Sequence, residues 1–178
     1  MQIGGVAAPL YYVAPGQINA QLPYELKAGN QYEVQVNVNG ALSSPVPISV
    51  VPVSPGIAAY GSGGVIAQHA DYSLISAAAP AKPGEVIILY LAGMGAVDAE
   101  VATGAASPAT PLAHPVQPPV LTVNGNPVPT VFAGLVPGAV GLYQVNFKVP
   151  EGLASGTAKL VVSQAGTESN SVSLPVGK

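Results

Sequence analysis

The chain has no cysteine and no tryptophan in its 178 residues, and only 7% of those residues are charged. Without cysteine there is neither a disulfide framework nor a cysteine-ligated zinc site. Lysine and arginine together number 5, too few for a basic stripe that would neutralise a phosphate backbone, so nucleic acid is set aside as a partner. Ordinary soluble domains carry about 25% charged residues. A surface with so few charges resists self-association only weakly. Long apolar runs are missing too. The longest, Val86 to Val97, is interrupted by Gly93 and Gly95 and falls short of the ~20 residues a membrane-spanning helix needs. Residues 1–15 show no charged segment followed by an apolar one, so no signal peptide is expected within this chain.

Against these absences stand 21 glycines, 19 prolines and a hydrophobic fraction of 49%. Disorder would require low hydrophobicity or high net charge, and the net charge is only −3. The apolar residues fall into short runs rich in Val and Ile, alternating with polar residues and separated by Gly, Pro or Asn-Gly. That pattern belongs to an all-β sandwich built from hairpins. Asn39-Gly40 and Asn124-Gly125 are the strongest turn signals, because a type I′ turn needs positive φ at both central positions.

An internal repeat organises these runs. Gln17-Ile18-Asn19-Ala20-Gln21-Leu22-Pro23 matches Gln144-Val145-Asn146-Phe147-Lys148-Val149-Pro150, an offset of 144 − 17 = 127. Upstream, Ile3-Gly4-Gly5 parallels Val123-Asn124-Gly125 at 123 − 3 = 120, which places a seven-residue insertion in the second copy, within the loop from Ala133 to Gly141. Downstream, Val34 to Gly40 parallels Leu160 to Gly166, and Ser44-Pro45-Val46 parallels Asn170-Ser171-Val172, both at an offset of 126. Pro47 and Pro175 sit inside the closing strands, which marks those strands as sheet edges.

One element has no counterpart. Gly84-Glu85-Val86-Ile87-Ile88-Leu89-Tyr90-Leu91-Ala92-Gly93 reads as a buried strand ahead of the second copy, whereas the first copy already begins at Ile3. The first copy is therefore expected either to be completed by residues 51–84, which contain a candidate hairpin around His69-Ala70-Asp71, or to accept a strand from outside the chain. The expected layout is a first module over 1–55 that lacks its opening strand, a hairpin and linker over 56–84, and a second module over 85–178.

Three stretches carry a resemblance: Ala14 to Tyr24, Leu89 to Val97, and Gly141-Leu142-Tyr143-Gln144-Val145-Asn146. Together, and in that order, they resemble an uncharacterised C-terminal domain family of secreted acidobacterial, Solibacter-type proteins, and the likeness covers nearly the whole chain. Each half is similar to the IPT/TIG type of immunoglobulin-like module. The resemblance implies two tandem immunoglobulin-like β-sandwiches, an extracellular or cell-surface setting and an assembly or accessory role. It carries no catalytic residues.

Groups for chemistry are sparse. A Ser-His-Asp reading can be assembled from His69, Asp71 and a serine, but Asp71 lies two residues from His69 across a turn and no G-x-S-x-G elbow is present. An enzyme would need a cleft holding His69 or His114 beside a carboxylate. The eight carboxylates are scattered, Asp98 and Glu100 forming the one close pair, without a calcium-loop pattern. Gly61-Ser62-Gly63-Gly64 lacks the Gly-Lys-Ser/Thr ending of a phosphate cradle. No catalytic residue, cofactor or metal is expected.

Tyr11, Tyr12, Tyr24 and Tyr32 cluster in the first copy. Tyrosine joins an apolar face to a polar tip, which suits a sugar or a protein interface, so these four are the candidate ligand or partner contacts. The expected function is a non-catalytic extracellular structural module that self-associates into oligomers or filaments by strand complementation. The alternative is an accessory module binding carbohydrate or another extracellular protein.

Overall fold

The computed structural model describes all 178 residues, Met1–Lys178, and contains strands without any helix. The first region runs through β1 (Gln2–Ile3), β2 (Val6–Ala7), β3 (Leu10–Ala14), β4 (Gln17–Ala20), β5 (Gln31–Gln35), β6 (Asn37–Val38), β7 (Ala41–Leu42) and β8 (Val46–Ser49). Its main sheet is antiparallel in the order β2-β1-β5-β8, while β3-β4 and β6-β7 form separate hairpins.

The second region holds β9 (Gly56–Ile57), β10 (Ala67–Gln68), β11 (Val86–Ala92), β12 (Val120–Val123), β13 (Asn126–Val128), β14 (Thr130–Leu135), β15 (Tyr143–Lys148), β16 (Gly156–Gln164), β17 (Thr167–Glu168) and β18 (Val172–Val176). One sheet is ordered β10-β11-β15-β14 with β9 also on β11, and the other β13-β12-β16-β17 with β18 also on β16. Side chains from both sheets, among them Ile87, Leu89, Val145 and Phe147 from the first and Leu121, Leu160 and Leu174 from the second, share one core. This is a sandwich-like all-β arrangement.

The sequence repeat is also a repeat of strand register. Tyr32 pairs with Ile48 and Val34 with Val46 in the first region, and their counterparts Ala158 with Leu174 and Leu160 with Val172 in the second. Ile3 pairs with Val34 as Val123 pairs with Leu160. Even an irregularity is shared, since the β3–β4 register shifts between Leu10 and Tyr12 and the β14–β15 register between Thr130 and Phe132. The seven-residue insertion expected in the second copy lies between the register pair Gly134 and Gln144, where residues 135–143 stand in place of Pro15 and Gly16 between Ala14 and Gln17 in the first copy.

Tight turns fix these registers. Asn39 and Gly40 have φ of 51° and 89°, and Asn124 and Gly125 have 50° and 80°, the signs a type I′ hairpin demands. Ala165 and Gly166, at 48° and 81°, take the same conformation with a residue that has no side-chain group to favour it.

The stretch 56–84, expected as a hairpin and linker between the modules, is instead built into the second region. Its hairpin does form, with a bridge between Gln68 and Leu74. On β11, Ile57 pairs with Leu91 and Ala67 with Leu89. Asn170 clamps β9 across to the other sheet, accepting from the Ile57 N–H at 2.7 Å and donating to the Ile57 carbonyl at 3.0 Å. Farther along, Val65 donates to the Ser173 carbonyl, Ser173 to Gly63, and Ala81 to Pro175, so the outer edge of β18 is covered. Residues 51–84 therefore close the second region and leave the first unclosed.

Candidate functional site

A cleft of about 690 Å³ lies where the two regions meet and is mostly apolar. Its walls include Tyr11, Leu22 and Tyr24 from the first region and Val140, Gly141 and Tyr143 from the second. Polar contacts hold the regions together around it. The Thr103 hydroxyl accepts from the Tyr24 N–H at 2.8 Å and donates to Glu25 at 2.7 Å. Gly104 N–H donates to Gln21 Oε1 at 2.7 Å, and the Tyr11 hydroxyl donates to the Val140 carbonyl at 2.9 Å. In another wall of the cleft, Gly93 and Gly95 face residues 52–54, the linker between the two regions, so closely that an added Cβ would stand 2.0 Å from the Ser54 oxygen and 2.4 Å from the Pro52 oxygen. The glycines of the Leu89 to Val97 motif thus admit the linker.

The four candidate tyrosines separate. Tyr11 and Tyr24 line the cleft, whereas Tyr12 and Tyr32 do not. Tyr32 lies over Gly4, where a Cβ would come within 2.4 Å of its ring, and its hydroxyl accepts from the Lys27 N–H at 2.9 Å. Tyr12 follows the register shift, at which the simple alternation of strand faces breaks down, and both Tyr11 and Tyr12 keep 51% of their surface exposed. Two further cleft residues were not singled out by sequence. Tyr143, from β15, donates its hydroxyl to the Gly95 carbonyl, and burial reinforced by Tyr24 pushes its ionisation far above that of a free phenol. Gln21 is buried, and its Nε2 has no hydrogen-bond partner. A buried amide donor left unpaired costs about 1–3 kcal/mol, which an acceptor brought by a ligand would recover.

His69 lies in a separate shallow recess with Asp71, Ser73, Lys82 and Glu85. The structure therefore does set a histidine beside a carboxylate, as an acid-base reading requires. The ring nitrogens are both engaged, Nδ1 with Glu85 and Nε2 with the Ala79 carbonyl at 3.3 Å. Ser73 turns its hydroxyl to Asp71 at 2.6 Å rather than to the imidazole. Burial opposes charge on the ring, but Glu85 and the Ala79 carbonyl more than offset it and His69 stays protonated to higher pH than free imidazole. The pair ties the 67–75 hairpin to the start of β11. His114 packs its ring edge-on to Phe132, centroids 5.4 Å apart, and Nδ1 bonds the Ala133 carbonyl at 2.8 Å. No group of three or more His, Asp or Glu side chains is arranged to hold a metal ion.

The remaining feature is an edge. β15 is flanked by β14 on one side and by β11 on the other, pairing with β11 from Tyr143↔Leu91 to Lys148↔Val86. Its counterpart β4 pairs with β3 alone. Just beyond, Val149 N–H donates to the Glu85 carbonyl at 2.8 Å and the Val149 carbonyl accepts from Gly84 at 2.9 Å, whereas the counterpart Leu22 makes neither bond. Leu22 is 41% exposed where Val149 is 0%. Natural sheets guard open edges with charge or proline. No charged side chain occurs before Glu25, and Pro15 and Pro23 flank β4 without entering it, so residues 17–22 carry no such guard. The β8 edge does: Pro47 occupies the register position of Ser173, whose N–H points outward to Gly63.

No protein-family model, curated protein or solved structure matches the chain.

Proposed function

We propose that the chain is a non-catalytic extracellular assembly module made of two tandem immunoglobulin-like, IPT/TIG-like sandwiches, the first lacking its opening strand and accepting a β-strand along β4. Oligomers or filaments are the product of that acceptance. The observation that carries the reading is the register-matched difference between β15, paired on both sides, and β4, paired on one. An unguarded edge offers a row of unpaired backbone groups to another chain, and main-chain bonds supply much of the affinity in such strand addition. The low charge of the surface leaves little to oppose it. The resemblance to a domain family of secreted proteins supports the extracellular setting.

Light scattering with electron microscopy over a range of concentrations tests the reading. The expected mass rises with concentration above the 17.6 kDa of the single chain, and Ile18→Asp, which puts a charge on β4, returns it to that value. A mass that stays at one chain throughout, with the two proteins alike, counts against assembly through β4.

A second reading rests on the cleft: the unpaired Gln21 donor among Tyr11, Tyr24 and Tyr143 fits a carbohydrate or an extracellular protein segment presenting an oxygen acceptor. Calorimetric titration with soluble glycans, repeated on Tyr24→Ala, separates it from the first. Binding lost in that variant while the mass stays unchanged favours the cleft.

A further inference from the structure

The second region contains a template for what the open edge of the first would hold. β11 runs antiparallel to β15 and sets Ile87 opposite Phe147, Leu89 opposite Val145 and Leu91 opposite Tyr143. All three β11 side chains are buried in the core. Carried across the repeat at an offset of 127, these positions fall opposite Ala20, Ile18 and Gly16. Ala20 and Ile18 are only half-buried, whereas Phe147 and Val145 are fully buried. Both differences lie where a strand like β11 would pack.

Building on strand acceptance at β4, we infer that the cognate occupant is an apolar strand patterned like β11, antiparallel to β4, supplied by polypeptide outside residues 1–178. It sets large aliphatic side chains opposite Ile18 and Ala20 and carries its main-chain pairing on to Leu22. Ala20 in place of Phe147 leaves the first region more room at that position, so the incoming side chain there can exceed Ile87 in size.

A second copy of these residues offers no equivalent strand. Its own β11 is paired on both edges, by β15 on one side and by β9 and β10 on the other. Of its free edges, β8 carries Pro47 and β13 carries Pro127, β2 has only two residues, and the side-chain alternation of β3 and β14 is broken by the register shifts between Leu10 and Tyr12 and between Thr130 and Phe132. The β4 edge of a second copy has just Ile18 and Ala20 to present. Copy-to-copy association through β4 is accordingly weaker than docking of the cognate strand and is displaced by it.

A lysine-flanked synthetic peptide with the sequence Glu85 to Ala92 is the probe, added to the full chain, with a control peptide bearing aspartate at the Ile87 and Leu89 positions. Amide hydrogen exchange of residues 17–22 is followed beside that of β15, which reports that the protein stays folded. The expected result is exchange slowed at least about tenfold at residues 17–22 by the first peptide and not by the control, with the mass falling to that of one chain plus one peptide. Protection of β4 that grows with protein concentration and is not displaced by the peptide overturns the external strand while leaving assembly through β4 standing. Rapid exchange at residues 17–22 under every condition, with β15 protected, overturns both.

Discussion

The two regions are built on one register and differ in closure. Leu160 and Val34 occupy equivalent positions in the central strand of equivalent sheets, yet Leu160 is fully buried and Val34 is not. Val172 is 2% exposed and its counterpart Val46 58%. The buried cluster runs from Ile57 to Val176 and takes no residue from the first region, where burial of large apolar side chains is confined to Ile3, Val50 and Val53. Strand pairing alone therefore does not make a core. The second region gains β9, β10 and β11, which extend one sheet beyond β15, and the first has nothing in their place. Burying a Val, Leu or Ile side chain contributes about 1.5–3 kcal/mol, so the difference in closure is also a difference in stability.

The largest expected effect comes from cutting matched core positions. Leu160→Ala should lower stability by about 2–5 kcal/mol, as buried leucines do, while Val34→Ala should cost less than about 1 kcal/mol. Denaturant unfolding measures both, and equal costs would break the contrast between the regions. Next is the Asn170 clamp, which the first region replaces with Ser44. Asn170→Ala leaves the Ile57 N–H and carbonyl unpaired and should cost about 1–3 kcal/mol, against about 0.5 kcal/mol or less for Ser44→Ala.

A smaller effect of opposite sign is expected at the matched turns. Asn39 and Ala165 hold the same positive φ, and asparagine tolerates it better than alanine. Ala165→Asn should raise stability by about 0.5–1 kcal/mol and Asn39→Ala should lower it by a similar amount, both read as shifts in the thermal midpoint. The smallest effect is electrostatic. Both histidines belong to the second region, and His69 is held protonated above its ordinary range. A group whose folded value is raised stabilises fully below its unfolded value and loses that contribution as pH rises through the folded one. The second region should accordingly weaken as pH rises from the ordinary imidazole range through the raised value of His69, and His69→Gln should abolish that dependence in a pH series of unfolding midpoints.

Much of this fold could be read from the chain. The repeat was visible because hairpin pairing needs a two-residue alternation and fixed turn residues, and both copies keep them from Ile3 to Val50 and from Val123 to Val176. Pro47 marked an edge for the same local reason, whereas the strand of Pro175 is covered on its outer side by residues 63–81. The role of 56–84 was not visible, because β9 and β10 are two residues each and too short to show a period. The candidate site was half legible. Tyr11 and Tyr24 reached the cleft, but the register shift beside Tyr11 and the burial of Gln21 leave no trace in a pattern of polar and apolar letters.

The sequence by itself determined the strands, their turns and the duplicated register, since each depends on residues close together in the chain. Only the tertiary structure decided which copy would close. That outcome depends on where residues 51–92 dock, and it was settled by long-range pairing: Gly93 and Gly95 admit the linker, Asn170 captures β9, and β11 takes the free side of β15 and leaves that of β4 open.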